Sequence, residues 1–137
     1  MIFRQLFDSD SSTYTYLLGC GDTLNAVVID PVYEQHARDT ALIRELGLTV
    51  RYVLDTLVHA DHVSGAWLLR TALGAEIVLS ARYGVDTVDV SVDHGDVLAF
   101  GNCSLAVRAT PGHTNGCLTY VTNSQDMAFT GDCLMIR

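Results

Sequence analysis

The sequence predicts an α+β fold in which a mostly antiparallel sheet packs on helices. Three observations support this prediction. Short runs rich in β-forming residues recur along the chain, two longer stretches have the apolar spacing of a helix, and turn residues separate these segments. With 137 residues and a hydrophobic content of 49%, the chain fits one folded domain, residues 1–137, with a sizeable core.

The first part of the chain predicts three strands. Residues 2–7 alternate between apolar and polar side chains, and residues 13–18 are rich in β-forming residues. Residues 25–29 form an almost continuous apolar run, which is typical of a buried strand. Asp30-Pro31 closes that run, and Asp30 either serves the turn or hydrogen-bonds behind the loop that follows the next strand.

The middle of the chain predicts two helices on either side of a strand. Residues 33–46 have helical spacing, and Gly47 is suited to end that helix. A second helix begins with Ser64 as its N-cap, continues through Leu73 and ends at Gly74. The residues that define the helical spacing of the first helix are Ala37, Ala41, Leu42, Glu45 and Leu46.

Six further strands are predicted from short apolar runs bounded by turn signals. Three of those turn signals are Gly101-Asn102, Pro111-Gly112 and Asn123-Ser124. Residues 83–95, which are rich in aspartate and glycine, are predicted as a loop. The six strands are residues 50–54, 76–79, 97–100, 105–109, 118–122 and 127–129.

Charge and hydropathy exclude several classes of function. The net charge is −8 and the chain has no lysine, so it lacks the basic patch that nucleic acid or an anionic membrane surface requires. No apolar run reaches the roughly 20 residues that cross a bilayer, and the N-terminus shows no secretory signal. We therefore expect a cytoplasmic protein that binds neither nucleic acid nor membranes.

The four cysteines form no C-x-x-C pair, which argues against a zinc ribbon or a thioredoxin-type motif. In a cytoplasmic chain we expect reduced thiols that are buried as small apolar side chains. Two of them adjoin the motifs described next and are candidates to line a site. The cysteines are Cys20 and Cys103, and, beside the motifs, Cys117 and Cys133.

A cluster of metal-binding side chains follows the strand predicted at residues 50–54. His59, Asp61 and His62 lie in the loop before the second helix. Imidazole nitrogens and a carboxylate that converge from one loop suit a divalent metal ion. Taken alone, the same three residues are equally typical of a solvated surface loop.

Two further candidate ligands also follow predicted strands. His113 stands in Thr-Pro-Gly-His, where Pro111 and Gly112 predict a tight turn. Asp132 comes two residues after Thr130, beyond the strand at residues 127–129. Because the ends of strands in a sandwich can converge on one edge, we predict that these residues and the His59 loop form one metal site there.

Other chemically notable residues receive structural interpretations. His36 lies on the first predicted helix and is expected to face solvent. His94 stands between aspartates and glycine and is expected to be a turn residue. The alternation of Tyr14 and Tyr16 indicates packing on the sheet.

These motifs resemble the metallo-β-lactamase superfamily, and within it the persulfide dioxygenases beside glyoxalase II. The resemblance extends over essentially the whole chain and implies a partial αββα sandwich with mostly antiparallel sheets. The stretches that carry it are F-D-S-D-S-S-T-Y-T-Y-L at 7–17, V-I-D-P-V at 28–32, H-A-D-H at 59–62, T-P-G-H-T-N-G-C at 110–117 and F-T-G-D-C-L at 129–134.

The resemblance implies one non-haem iron, held by two histidines and a carboxylate, in an enzyme that oxidises glutathione persulfide to sulfite. By motif position the three ligands are Leu57, His113 and Asp132. The H-x-D-H residues correspond to neighbouring positions in the dioxygenases and to metal ligands in the dinuclear hydrolases. Because Leu57 has no lone pair to donate, we expect Fe(II), or Zn in its place, to bind weakly or not at all.

Three functions are open on the sequence. The first is a persulfide dioxygenase whose activity is weak or absent. The second is a non-catalytic module that binds a small thiol or a protein. The third is a zinc thioester hydrolase of the glyoxalase II type, with zinc ligands drawn from His59, Asp61, His62, His113 and Asp132.

The same resemblance leads to an expectation about assembly. The family continues beyond the position of Arg137, so one apolar sheet face and its edges are expected to be exposed in this chain. We therefore predict that the chain buries this face in a symmetric homodimer.

Overall fold

The computed structural model describes residues 1–56, 66–84, 88–110, 118–130 and 134–136. These residues form two β-sheets and two α-helices, with short 3₁₀ helices at Tyr33–Gln35 and Ala81–Tyr83. The α-helices are α1 (His36–Glu45) and α2 (Ala66–Leu73). The strands are β1 (Ile2–Asp8), β2 (Thr13–Gly19), β3 (Asn25–Ile29), β4 (Thr49–Leu54), β5 (Glu76–Ser80), β6 (Val90–Val92), β7 (Val97–Phe100), β8 (Cys103–Ala109), β9 (Leu118–Thr122), β10 (Met127–Phe129) and β11 (Leu134–Ile136).

The first sheet has the strand order β1-β2-β3-β4-β5-β6 and is mixed. Strands β1, β2 and β3 pair antiparallel through short turns. Strands β3 to β6 pair parallel, because α1 and α2 carry the chain back across the sheet between β3, β4 and β5. The second sheet, of order β11-β10-β9-β8-β7, is antiparallel throughout. The prediction of mostly antiparallel strands is thus confirmed, with a parallel half in the first sheet.

Two apolar cores hold these layers together. The core between the sheets includes Leu18 and Ile29 from the first sheet and Phe100 and Val107 from the second. The second core lies between the first sheet and the helices and includes Leu69 of α2. The described residues therefore form three layers of the αββα sandwich, namely helices, sheet and sheet, and neither helix is long and apolar enough to cross a membrane.

The helix predicted at residues 33–46 is present, and the face that it buries is partly polar. The buried residues of α1 are Asp39, Thr40 and Ile43, whereas Ala37 and Ala41 are exposed. Leu42 and Leu46, two of the residues that define the helical spacing, pack against the core beside these polar side chains. Arg38 pairs with Asp39 at 3.1 Å and partly offsets the cost of burying its carboxylate.

Two short strands were missed by the sequence analysis. Val90–Val92 lies within the segment predicted as a loop, yet it extends the first sheet by pairing with β5. Leu134–Ile136 pairs with β10 at the edge of the second sheet. Each strand has three residues, which is too short to show an alternating pattern. Their pairing partners, rather than their own sequences, make them strands.

The outer face of the second sheet is exposed mainly at its β7 edge. Val97 is 62% exposed, and its cross-strand neighbour Ala106 is only partly covered. By contrast, Val121 of β9 and Ala128 of β10 are buried. The apolar face expected from the sequence is therefore limited, among the described residues, to the β7–β8 side.

Candidate functional site

The predicted metal-site residues fall in three segments outside the described residues. These segments are 57–65, 111–117 and 131–133. The structure does describe the strand ends from which the segments leave, and these ends frame the candidate site. The residues concerned are Leu57, His59, Asp61, His62, His113 and Asp132, and their roles stay predictions.

One hydrogen bond joins the two sheets at the candidate site. The backbone N–H of Leu118 donates to the carbonyl of Thr56 at 3.0 Å. Thr56 is the last described residue before the segment that contains the H-x-D-H motif. Leu118 is the first described residue after the segment that contains His113. The start of one motif segment and the end of the other are thus held together.

The register of the second sheet brings the third segment to the same edge. Ala109 pairs with Leu118, and Phe129 pairs with Tyr120. The C-terminal ends of β8 and β10 therefore lie beside the N-terminal end of β9. The hydroxyls of Thr110 and Thr119 lie 2.9 Å apart across this edge. All three motif segments consequently depart from one edge of the sandwich.

Asp30 connects β3 to the start of the H-x-D-H segment. Its Oδ1 accepts from the backbone N–H of Thr56 at 2.8 Å, and its Oδ2 accepts from the Thr56 hydroxyl at 2.7 Å. Its carbonyl accepts from the hydroxyl of Thr15 at 2.8 Å, and its N–H donates to Leu54. Asp30 is 5% exposed and has a φ of 55°. Both sequence interpretations of Asp30 therefore apply, because it turns the chain and also bonds behind the motif.

Tyr120 places a buried hydroxyl close to this edge. The side chain is fully buried on β9, and its hydroxyl has no hydrogen-bond partner among the described residues. Burial, together with the negative charges of Asp30 and Asp55, raises the pKa of Tyr120 well above its ordinary value. The sequence analysis did not single out Tyr120, because a tyrosine within a predicted strand is most simply interpreted as a core residue.

Aromatic rings line the core below the site. The rings of Tyr16 and Phe129 are 4.9 Å apart, and Phe3 stacks on Tyr16 at 6.2 Å. Phe129 is the last residue of β10, immediately before Thr130. The interpretation of the tyrosine alternation as sheet packing is confirmed, with Tyr14 on the same stripe and contacting Phe7 at 4.8 Å.

The other histidine predictions are confirmed. His36 begins α1 and is exposed, and His94 lies in the turn before β7. The His94 Nδ1 accepts from the backbone N–H of Ala109 at 3.1 Å, so this histidine steadies the end of β8 from outside. Within the described ranges, no three His, Cys, Asp or Glu side chains are grouped so that they could hold a metal ion.

A second cluster was missed by the sequence analysis. Cys20 and Cys103, expected to be ordinary reduced core residues, meet at the opposite end of the sandwich. The signal available in the sequence was that each cysteine adjoins a glycine-containing turn, Gly19-Cys20-Gly21 and Gly101-Asn102-Cys103. Turn residues alone do not show that two turns from different sheets are neighbours.

Comparison with known proteins identifies the family. Residues 9–137 match the Metallo-beta-lactamase superfamily. Persulfide dioxygenase ETHE1, mitochondrial, of Mus musculus is 49% identical over 100% of this chain and 54% of its own length. The crystal structure of ETHE1 from Myxococcus xanthus superimposes with a TM-score of 0.91 at 48% identity, covering 99% of this chain and 59% of that one.

A relative of the hydrolase type is also similar. The hydroxyacylglutathione hydrolase of Rhodospirillum rubrum is 34% identical over 90% of this chain and 48% of its own length. This chain spans about half the length of the curated relatives that it matches. The matched residues, the two sheets and the shared strand edge all agree, and the chain belongs to the metallo-β-lactamase superfamily.

Proposed function

We propose that this chain is a persulfide dioxygenase-type protein, for the oxidation of glutathione persulfide to sulfite, and that Leu57 makes its activity weak or absent. The observation that carries the proposal is the hydrogen bond from Leu118 to Thr56. It holds together the ends of the two segments that contain the H-x-D-H and P-G-H motifs. The 49% identity to the mouse persulfide dioxygenase supports the choice of reaction.

Membership of the superfamily implies a metal cofactor. The donor set fits one only in part. His113 offers an imidazole nitrogen and Asp132 a carboxylate, which are the donors of a two-histidine, one-carboxylate iron centre, but Leu57 stands where the second histidine belongs. A ferrous ion held there would supply open positions for a thiolate sulfur and for O₂. With His59 as the substitute donor, the proposed centre binds iron weakly.

The described residues give this proposed site its frame. Asp30 fixes Thr56, and therefore the direction in which the H-x-D-H segment leaves β4. The rings of Tyr16 and Phe129 exclude water from the core below it. A rigid, dry base of this kind is what a site needs to hold ligands in a set geometry.

The test is to restore the missing donor. Leu57→His should raise the iron content measured by inductively coupled plasma mass spectrometry after incubation with ferrous iron. It should also raise sulfite formation from glutathione persulfide, measured together with O₂ uptake. Val58→His places the same side chain one position away and is the matched control. Equal iron content and sulfite formation in wild type, Leu57→His and Val58→His would contradict the proposal.

A second candidate is a zinc thioester hydrolase. The similarity to hydroxyacylglutathione hydrolase and the intact His59, Asp61 and His62 motif favour it. This function predicts hydrolysis of a glutathione thioester by the zinc-loaded wild type, with loss of hydrolysis in Asp61→Asn. Hydrolysis that does not depend on zinc would count against it.

The non-catalytic alternative is a metal-poor module that self-associates and binds a small thiol or a protein. The exposed Val97 edge of the second sheet supports self-association. A chain that holds no metal, turns over neither substrate and forms a stable homodimer would have this function. We keep the cytoplasm as its proposed compartment; the mouse relative is a mitochondrial protein.

A further inference from the structure

Two cysteines from different sheets meet at the end of the sandwich opposite to Thr56 and Leu118. Cys20 follows the last residue of β2 and belongs to the core between the sheets. Cys103 is the first residue of β8 and packs against that core. Asn102, the residue before Cys103, donates its backbone N–H to the Cys20 sulfur, so the two cysteines are neighbours, and neither is in a disulfide. The two cysteines are 83 positions apart in the sequence, so only the packing of the sheets brings them together.

The surroundings of Cys20 stabilise a thiolate. The Thr23 hydroxyl hydrogen-bonds to its sulfur, and the backbone N–H of Asn102 donates to it at 3.4 Å. Together with the backbone N–H groups of Thr23 and Asp22, these donors lower the pKa of Cys20 to about 6. Cys20 is only 1% exposed. A pKa of about 6 favours the thiolate form of Cys20 at neutral pH, and the surrounding residues shield its sulfur from solvent.

Gly101 allows the turn between β7 and β8 to approach this sulfur. Its φ is 68°, and a Cβ atom at this position would lie 2.9 Å from the Cys20 Sγ and would overlap the Thr23 hydroxyl. Such a close approach is possible only for glycine. The turn therefore delivers both the Asn102 donor and Cys103 to the Cys20 side chain.

Cys103 has complementary properties. It is half-buried rather than buried, so small molecules can reach it more easily than Cys20. Burial raises the pKa of Cys103, and the charge on Cys20 and the hydrogen bond to it raise that pKa further. The raised pKa favours the thiol form of Cys103 at neutral pH.

We propose that Cys20 and Cys103 are a redox-modification site, which closes to a disulfide between the two sheets by exchange with a small-molecule disulfide such as oxidised glutathione. The hydrogen bond from Asn102 to the Cys20 sulfur, the close approach at Gly101 and the difference in exposure between the two cysteines together support this site. The bond ties the end of β2 to the start of β8. It lies outside the candidate metal site and does not depend on the proposed function.

The exchange balances in two displacements. Cys103 passes its proton to Cys20, and the resulting Cys103 thiolate attacks one sulfur of oxidised glutathione; the disulfide of glutathione breaks and one glutathione thiolate leaves. That thiolate takes the proton from Cys20. The Cys20 thiolate then attacks the Cys103 sulfur, forms the new disulfide and releases the second glutathione thiolate, which is protonated by solvent. The two protein thiols are oxidised, and the glutathione disulfide is reduced to two thiols.

The arginine positions make the product easy to identify. Cleavage by trypsin after arginine places Cys20 in peptide 5–38 and Cys103 in peptide 83–108. Both remaining cysteines fall in peptide 109–137. The reduced full chain is incubated with oxidised glutathione, trapped with acid, digested and analysed by mass spectrometry. The expected product is peptide 5–38 linked to peptide 83–108, without glutathione.

Serine variants test the order of the two steps. In Cys20→Ser the second displacement is lost, so glutathione should remain on peptide 83–108. In Cys103→Ser the more accessible of the two thiols is lost, so peptide 5–38 should stay unmodified. The wild-type experiment needs no substitution and stands even if a variant does not fold. An absence of the linked peptide from folded wild type, or its equal yield from urea-unfolded chain, would overturn the proposal.

Discussion

The carboxylate of Asp30 holds Thr56 by two hydrogen bonds, one to the backbone N–H at 2.8 Å and one to the hydroxyl at 2.7 Å. Thr56 in turn accepts a hydrogen bond from Leu118 of the second sheet. One buried aspartate therefore sets the position of the residue at which both sheets and the H-x-D-H segment meet. Asp30 adopts a left-handed φ of 55° to do so, a conformation that is uncommon outside glycine but that aspartate adopts more readily than most residues.

Removing the Thr56 hydroxyl should destabilise the fold. In Thr56→Val the shape is kept, but the buried Asp30 loses one donor, which costs about 1–3 kcal/mol. The free energy of unfolding, measured in urea by circular dichroism, should fall by that amount. Thr71→Val is the control, because the Thr71 hydroxyl bonds to Trp67 on the exposed side of α2. An equal loss of stability in the two variants would show that the hydrogen bond from Thr56 to Asp30 contributes no more than an exposed one.

Removing the Tyr120 hydroxyl should have the opposite effect. Its oxygen is buried without a partner among the described residues, so Tyr120→Phe should raise the free energy of unfolding by about 1 kcal/mol. Tyr14→Phe is the matched control, since the Tyr14 ring is 37% exposed, and it should change stability little. If Tyr120→Phe lowers the stability, the hydroxyl has a partner that it needs.

Two buried aspartates, Asp39 and Asp8, should make the free energy of unfolding depend on pH in opposite directions. Burial raises the pKa of Asp39 above its ordinary 3.8, although Arg38 opposes the change. The folded chain then binds more protons than the unfolded chain above pH 3.8, so the contribution of Asp39 to stability falls as the pH rises through its folded pKa. Hydrogen bonds from Gln35 and Ser11 lower the pKa of Asp8. The contribution of Asp8 is present above pH 3.8 and is lost as the pH falls below it.

The measurement compares each asparagine variant with wild type. Urea unfolding of wild type, Asp39→Asn and Asp8→Asn is followed from about pH 6 downward. As the pH falls, the free energy of unfolding of wild type should rise relative to that of Asp39→Asn. Over the same range, it should fall relative to that of Asp8→Asn. Slopes of the same sign for both variants would show that the burial of Asp39 does not control its titration.

The predicted homodimer is tested at the β7 edge. Val97 is 62% exposed on the outer face of the second sheet, so Val97→Asp should shift the chain toward monomer in sedimentation velocity at micromolar concentration. Leu24→Asp is the control, because Leu24 is 40% exposed on the turn between β2 and β3 and its positive φ suits aspartate. Wild type that sediments only as monomer would exclude the homodimer at that concentration.

Much of the fold was predictable from local patterns. The runs at β3, β7, β9 and β10 were predicted with the bounds that the structure has, because their apolar residues are continuous or alternate and turn residues bracket them. The ends of both helices at Gly47 and Gly74 were also predictable, because glycine readily adopts the left-handed conformation that ends a helix. Each of these glycines has a φ of 69°. The short strands β6 and β11 were not predictable, because each is defined by its pairing with a neighbouring strand rather than by a pattern of its own.

For the candidate site, the sequence alone identified the metal-ligand residue types, the absent donor at Leu57 and the family resemblance, since these depend on which residues stand at which spacing. Tertiary structure alone showed that Thr56, Leu118 and Thr130 lie at one edge, that Asp30 fixes Thr56, and that α1 buries Asp39. It also brought Cys20 beside Cys103. Contacts of this kind depend on how separate sheets and helices pack, and the residues involved leave no periodic pattern along the chain.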